Sequence, residues 1–205
     1  LVIYTLSGTT TYPNGSDIAY GYGPPIWYEP SNAITYFMVD NGGIYNSDSG
    51  GWANWPRHEH YGMPSWSPGG SKLLFRGSVM EPAWNYEIFV ATYADEPYGV
   101  DPVNITNHAG ADGAPSWSPD GARLVFTRDG DLATMNSDGS GLAVLDDAQH
   151  VQSPAWSSDG SKLVYVCYID EPEYRGEICV INSDGSGKTR LTFNTEVDEG
   201  PRFVP

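Results

Sequence analysis

The stretch Ala114-Pro115-Ser116-Trp117-Ser118-Pro119-Asp120-Gly121 decides the fold, because the chain repeats it. It returns as Met63-Pro64-Ser65-Trp66-Ser67-Pro68-Gly69-Gly70 and as Ser153-Pro154-Ala155-Trp156-Ser157-Ser158-Asp159-Gly160. A worn copy reads Pro24-Pro25-Ile26-Trp27-Tyr28-Glu29-Pro30-Ser31, and a truncated one reads Gly200-Pro201-Arg202-Phe203. Each copy joins a short segment carrying an aromatic to a turn of Ser, Pro, Asp and Gly. Such residues favour turns through local side-chain hydrogen bonds and permissive backbone angles. Self-similarity at a fixed period is the mark of a repeat architecture.

The residues between copies keep one order. In the third unit a strand over 124–127 precedes Asp129-Gly130, a hairpin signal. A strand over 132–135, the turn Asn136-Ser137-Asp138-Gly139-Ser140-Gly141 and a strand over 142–145 complete it. The fourth unit repeats that turn as Asn182-Ser183-Asp184-Gly185-Ser186-Gly187. With the tryptophan-bearing strand, each unit holds four antiparallel strands, a to d. Trp27, Trp66, Trp117, Trp156 and Phe203 fall 39, 51, 39 and 47 residues apart. The longer units carry insertions between b and c, at 77–85 and 168–176, and one near 94–101.

Four-stranded units at this period predict a β-propeller. Residues 1–20 supply three strands without a tryptophan motif, and Asn14-Gly15-Ser16 aligns within a residue of Asp138-Gly139-Ser140. The expectation is therefore an all-β, five-bladed β-propeller of four-stranded antiparallel blades, closed by the C-terminal strand joining the N-terminal strands. Blade five combines 1–22 with 200–205; blades one to four span 24–56, 63–106, 114–145 and 153–192 of one domain, 1–205. Closure would remove exposed sheet edges. Trp66, Trp117, Trp156 and Phe203 are expected to fill equivalent core places. The rival reading is a piece of a larger propeller.

Composition narrows the partners. Twenty-six acidic residues against ten basic ones give a formal net charge of −16. That surface repels nucleic acid and anionic membranes and suits cationic partners. No run approaches the ~20 apolar residues of a membrane span. The chain begins at Leu1 within a strand-like segment, which reads as a processed product or an excised domain. An exported chain, extracellular or periplasmic, and part of a larger polypeptide or assembly, is the expectation.

At 115–121 followed by Leu124-Val125-Phe126, and at Met135 with the turn 136–141, the chain resembles the TolB-type propeller repeat. Asn104-Ile105-Thr106-Asn107-His108 and Arg190-Leu191-Thr192 resemble that family's strand-d endings. The resemblance covers 63–203 well and 24–62 weakly. It implies a propeller. Similar repeats occur in protein-binding scaffolds, peptidase domains and polysaccharide lyases, so fold alone does not choose a function.

In a propeller, d–a and b–c connections share one face. His58, His60, His108 and His150 all fall in d–a connections, with Glu59, Asp112, Asp147, Glu196, Asp198 and Glu199 nearby. Imidazoles and carboxylates converging there could bind a divalent metal or supply acid–base groups. Some lyases resembling this repeat use such a histidine cluster. The competing reading is that Asn107-His108 hydrogen-bonds loop backbone. On the same face Tyr61, Trp84, Tyr86, Tyr98 and Tyr174 offer aromatic contacts with polar tips to a sugar or protein; folding back over their own blades is the alternative. The Asn-Ser-Asp-Gly turns lack the closing acidic ligand of a calcium loop and read as hairpin turns. Cys167 is expected opposite Glu177 with Cys179 diagonal: a disulfide after a small register shift, or two small buried side chains.

The first expectation is an exported, non-enzymatic binding or scaffold propeller, without cofactor, recognising a protein or carbohydrate partner through the histidine face. The alternative is a metal-dependent polysaccharide lyase or hydrolase built on the four histidines.

Overall fold

The computed structural model describes residues 26–28, 33–38, 43–46, 52–53, 61–79, 85–92, 102–147, 150–168, 176–193 and 197–203. The strands expected over 1–20, and His58, His60, Trp84, Tyr98 and Tyr174, lie outside them; Tyr61 is described by its backbone only.

Four four-stranded antiparallel sheets follow one another, each pairing in chain order. Blade one holds β1 (Ile26–Tyr28), β2 (Ala33–Met38), β3 (Gly43–Asn46) and β4 (Trp52–Ala53). Blade two holds β5 (Tyr61–Trp66), β6 (Lys72–Val79), β7 (Asn85–Thr92) and β8 (Val103–Asn104). Blade three holds β9 (Asp112–Trp117), β10 (Arg123–Arg128), β11 (Asp131–Asn136) and β12 (Ala143–Asp146). Blade four holds β13 (Gln152–Trp156), β14 (Lys162–Tyr168), β15 (Gly176–Asn182) and β16 (Thr189–Arg190). The first strands β1, β5, β9 and β13 adjoin in series, as the inner strands of propeller blades do. Among the described residues no helix is long and apolar enough to cross a membrane.

The middle strands of blade three are apolar on both faces because that blade is covered by blades two and four. Leu124, Phe126, Ala133 and Met135 of blade three pack with Leu74, Ile88 and Val90 of blade two, around Trp117. The alternate residues Val125 and Leu132 pack the other way, with Trp156, Leu163, Tyr165 and Ile181 of blade four. The period-two alternation of a strand thus divides one apolar run between two interfaces. Trp117 and Trp156 are buried, as their places predict, whereas Trp66 is half-buried.

Each described copy of the inner-strand motif carries the same kink. Met63, Ala114 and Ser153, each before a proline, adopt φ of 55°, 47° and 50°. The pairing register slips there in all three blades, the signature of a β-bulge. Gly200 takes φ 55° ahead of Pro201, so the truncated copy keeps the kink. Its expected burial does not follow. Phe203 is 37% exposed, and no strand forms over 200–203. The backbone angle recurs at Gly200, whereas burial needs a flanking blade.

Two further differences concern blades two and four. The β6–β7 hairpin runs on through Val79↔Asn85, so 77–79 are ladder and not insertion. In blade four the ladder is regular, with Cys167 opposite Glu177 and Tyr165 opposite Cys179. Cys167 and Cys179 nevertheless form a disulfide, Cα atoms 5.8 Å apart, with no register shift. A diagonal pair on one face is close enough.

Candidate functional site

The two ends of the blades differ in chemistry. At one end lie the a–b and c–d turns. Ser118 donates its hydroxyl to Asp120, which also accepts from the Ala122 amide. Ser157, Asp159 and Ser161 repeat the arrangement. In the c–d turns Asp138 accepts from the Ser140 amide and hydroxyl, and Asp184 from those of Ser186. The Ser137 amide bonds the Ala122 carbonyl, tying the two turn types together at this end. These serine hydrogen bonds favour the charged carboxylate and hold Asp120, Asp138 and Asp184 below the usual range, with Asp159 at about 2. Gly139 must be glycine: its φ is 87°, and a Cβ would stand 2.9 Å from the Ile105 carbonyl of blade two.

The other end carries the d–a and b–c connections. Around His108 the groups form a connected network. Glu87 accepts from the Thr106 hydroxyl at 2.5 Å and from the His108 amide at 2.9 Å. Thr106 in turn accepts from the Ile88 amide, and Asn85 donates to the His108 and Gly110 carbonyls. His108 Nδ1 accepts from the Gly110 amide at 3.1 Å and lies 3.7 Å from Asp129. A neutral ring in this position carries its proton on Nε2. Through this bond His108 is tied to the backbone of its own loop. Gly110 is a close-approach glycine, because a Cβ would meet Asp129 Oδ1 at 1.8 Å.

His150, at φ 70°, stands edge-on to Tyr168 with ring centroids 6.4 Å apart. Asp112, expected near the histidines, is buried and bound by the Arg128 guanidinium through two contacts of 2.9 Å. Among the described residues no three His, Cys, Asp or Glu side chains gather into a set that could hold a metal. Tyr86 lies in β7 with the Arg76 guanidinium 4.2 Å above its ring centre. The remaining aromatic candidates Tyr61, Trp84, Tyr98 and Tyr174, and His58 and His60, have no described side chains.

The residues that organise this end were not singled out from the sequence. Glu87 with Thr106 recurs as Glu177 with Thr192, where Thr192 donates to Glu177 at 2.7 Å and accepts from the Ile178 amide. Arg190 closes the second copy by bonding Glu177 at 2.7 Å. The available signal was the pairing of Glu87-Ile88 and Glu177-Ile178 with the endings Ile105-Thr106 and Leu191-Thr192.

The TolB beta propeller domain matches residues 51–205. A search of curated proteins finds no match. Among solved structures, the chain superposes on a TolB candidate from Agrobacterium tumefaciens with a TM-score of 0.66 at 18% identity, covering 92% of this chain and 72% of that one. TolB from Acinetobacter baumannii gives 0.65 at 16% identity, with 86% and 44% covered, so the chain spans less than half of that protein. The tricorn protease gives 0.58 at 15%, with 87% and 17% covered. These likenesses are of fold, and they agree with the four-stranded sheets. The chain belongs to the TolB beta-propeller domain family.

Proposed function

We propose that the chain is an exported, non-enzymatic binding module that recognises a protein partner through the end carrying the d–a and b–c connections. The contrast between the two ends carries this reading. At the turn end Asp120, Asp138, Asp159 and Asp184 are each occupied within their own turns. At the other end lie Tyr86 of β7 under a cation, His150, and His108 on a connection anchored by Glu87 and Asp129. Aromatic and arginine side chains are the groups that dominate protein recognition. Tyr61, Trp84, Tyr98 and Tyr174 belong to the same proposed surface. Family membership supports a scaffold role, and the Cys167–Cys179 disulfide supports an oxidising compartment such as the periplasm. A five-bladed closure, with 200–205 supplying the inner strand of the last blade, is part of the proposal; the Gly200 kink supports it.

The test compares variants of the two ends in affinity capture from a periplasmic or culture-fluid extract, read by mass spectrometry. Tyr86→Ala and His108→Ala alter one end; Asp138→Asn and Asp184→Asn alter the other. One protein retained by the parent and the turn-end variants, and lost by the first pair, is the expected result. Loss that follows the turn-end variants, or capture indifferent to all four, would sink the proposal.

A further inference from the structure

We infer that blade two carries a carboxylate-binding site built on Arg76, Ser78 and Tyr86. The inference deepens the binding role above by naming the chemistry its partner presents, and for the partner's identity it rests on that reading. The three residues occupy adjoining positions of one sheet face. Ser78 lies directly opposite Tyr86 in the β6–β7 ladder, and Arg76 pairs with Ile88 one step along, diagonal to Tyr86. The Arg76 guanidinium stacks on the Tyr86 ring at 4.2 Å. Its stem passes Gly113 of β9, where a Cβ would lie 3.7 Å from Cδ, so the group sits at the boundary of blades two and three.

Two polar atoms there lack partners. Arg76 Nε is buried with no acceptor, and Ser78, fully buried, has a hydroxyl with no hydrogen bond. Buried donors in native proteins are nearly always satisfied, so two neighbouring exceptions call for a missing acceptor. The other described arginines have one. Arg123 reaches the Ser183 carbonyl, Arg128 takes Asp112, Arg190 takes Glu177 and Arg202 reaches the Pro201 carbonyl. Two of these four acceptors, those of Arg128 and Arg190, are carboxylates.

The geometry selects the ligand class. Tyr86 covers one flat face of the guanidinium, which leaves its edge as the docking side. The edge presents parallel N–H groups that match the two oxygens of a planar carboxylate. The Ser78 hydroxyl supplies a further donor. A dianionic phosphate would meet more repulsion from the acidic surface than a singly charged carboxylate.

The test uses the Arg76 Nε–Hε resonance of the 15N-labelled protein, titrated with sodium acetate against sodium chloride at matched ionic strength. A saturable movement with acetate alone is expected. Arg76→Lys, followed at the Ser78 and Tyr86 amides, should weaken acetate about tenfold, as for loss of a forked charge-assisted pair. Ser78→Ala should weaken it less, and it serves as the second variant should Arg76→Lys fail to fold. A peptide with a free C-terminus that displaces acetate, while its C-terminal amide does not, assigns the carboxylate to a chain end; a peptide no stronger than acetate assigns it to a small free acid. No acetate-dependent movement, or equal movement with chloride, would overturn the site. Because acetate is the probe, this result stands apart from the capture experiment on the protein partner.

Discussion

Tyr165 of blade four donates its hydroxyl proton to Asp146 of blade three across 2.5 Å, and both residues are buried. Lys188 completes the arrangement from the blade-four c–d turn, 2.8 Å from the same carboxylate. This polar contact crosses from one blade to the next, and it sits where the apolar faces of blades three and four meet. Tyr165→Phe should cost about 1–2 kcal/mol, since Asp146 keeps Lys188; Asp146→Ala should cost more, because it strands a buried hydroxyl and a cation. Urea unfolding followed by tryptophan fluorescence measures both. Burial, and then the Asp146 hydrogen bond, push the Tyr165 hydroxyl above its ordinary value of 10.0. The raised value means that its contribution is whole below pH 10 and declines as the unfolded chain ionises above it. Stability of the parent should therefore fall more steeply above pH 10 than that of Tyr165→Phe.

The turn carboxylate Asp159 gives a prediction at the acid end. Its pKa is lowered from 3.8 to about 2, first by the Ser157 hydroxyl and then by the Ser161 amide. A depressed value contributes stability above pH 3.8 that is lost as pH falls towards 2. The Asp159 side-chain carbon resonance should titrate near 2, and Ser157→Ala should bring it back towards 3.8. A midpoint at 3.8 in the parent would show that the serine bond is absent in solution.

Removal of the disulfide should destabilise without unfolding. Its two cysteines are 12 residues apart, and closing so short a loop restrains the unfolded chain by about 3 kcal/mol. Cys167→Ala with Cys179→Ala should lower the urea midpoint accordingly. Intact mass before and after alkylation checks that the parent holds no free thiol. A parent that alkylates at both cysteines without denaturant would exclude the bond.

Closure is tested at the C-terminus. Deleting residues 201–205 should lower the unfolding midpoint of the whole domain, because it removes the proposed inner strand of blade five and leaves an edge. An unchanged midpoint would count against closure by this segment. Phe203→Ala alone should cost about 1 kcal/mol or less, in keeping with an exposed side chain.

The architecture was legible because repetition multiplies weak signals. One Pro-Ser-Trp-Ser-Pro-Asp-Gly stretch proves little, but three full copies with matched turns fix strand order and tryptophan places. Turn chemistry was equally readable: serine and aspartate two residues apart act on their own backbone, and the structure shows that locally. Interactions set by the exact β9–β10 register, or by packing between blades, were not readable. Nothing in the spacing of Asp112 and Arg128 announces a buried bidentate pair, since Asp112 looks like one more acid in an acidic chain. Tyr165 and Asp146 meet only because two blades stack. Phe203 shows the opposite limit, where a motif keeps its backbone angle and loses its burial.

The left-handed residue before each inner-strand proline bears on how this face changes in length. Met63, Ala114 and Ser153 break the ladder at the same place, so the chain ahead of each can leave the sheet without disturbing pairing beyond the kink. The kink acts as a joint between a fixed frame and an adjustable rim. Residues added ahead of it, or between the second and third strands, lengthen only the rim. The serine–aspartate turns at the opposite end have no such slack, because their hydrogen bonds span a set number of residues. Blade two, grown from 39 residues to 51, uses both ends: its b–c connection lies on the adjustable rim, while its long c–d connection between β7 and β8 replaces the short serine–aspartate turn at the opposite end.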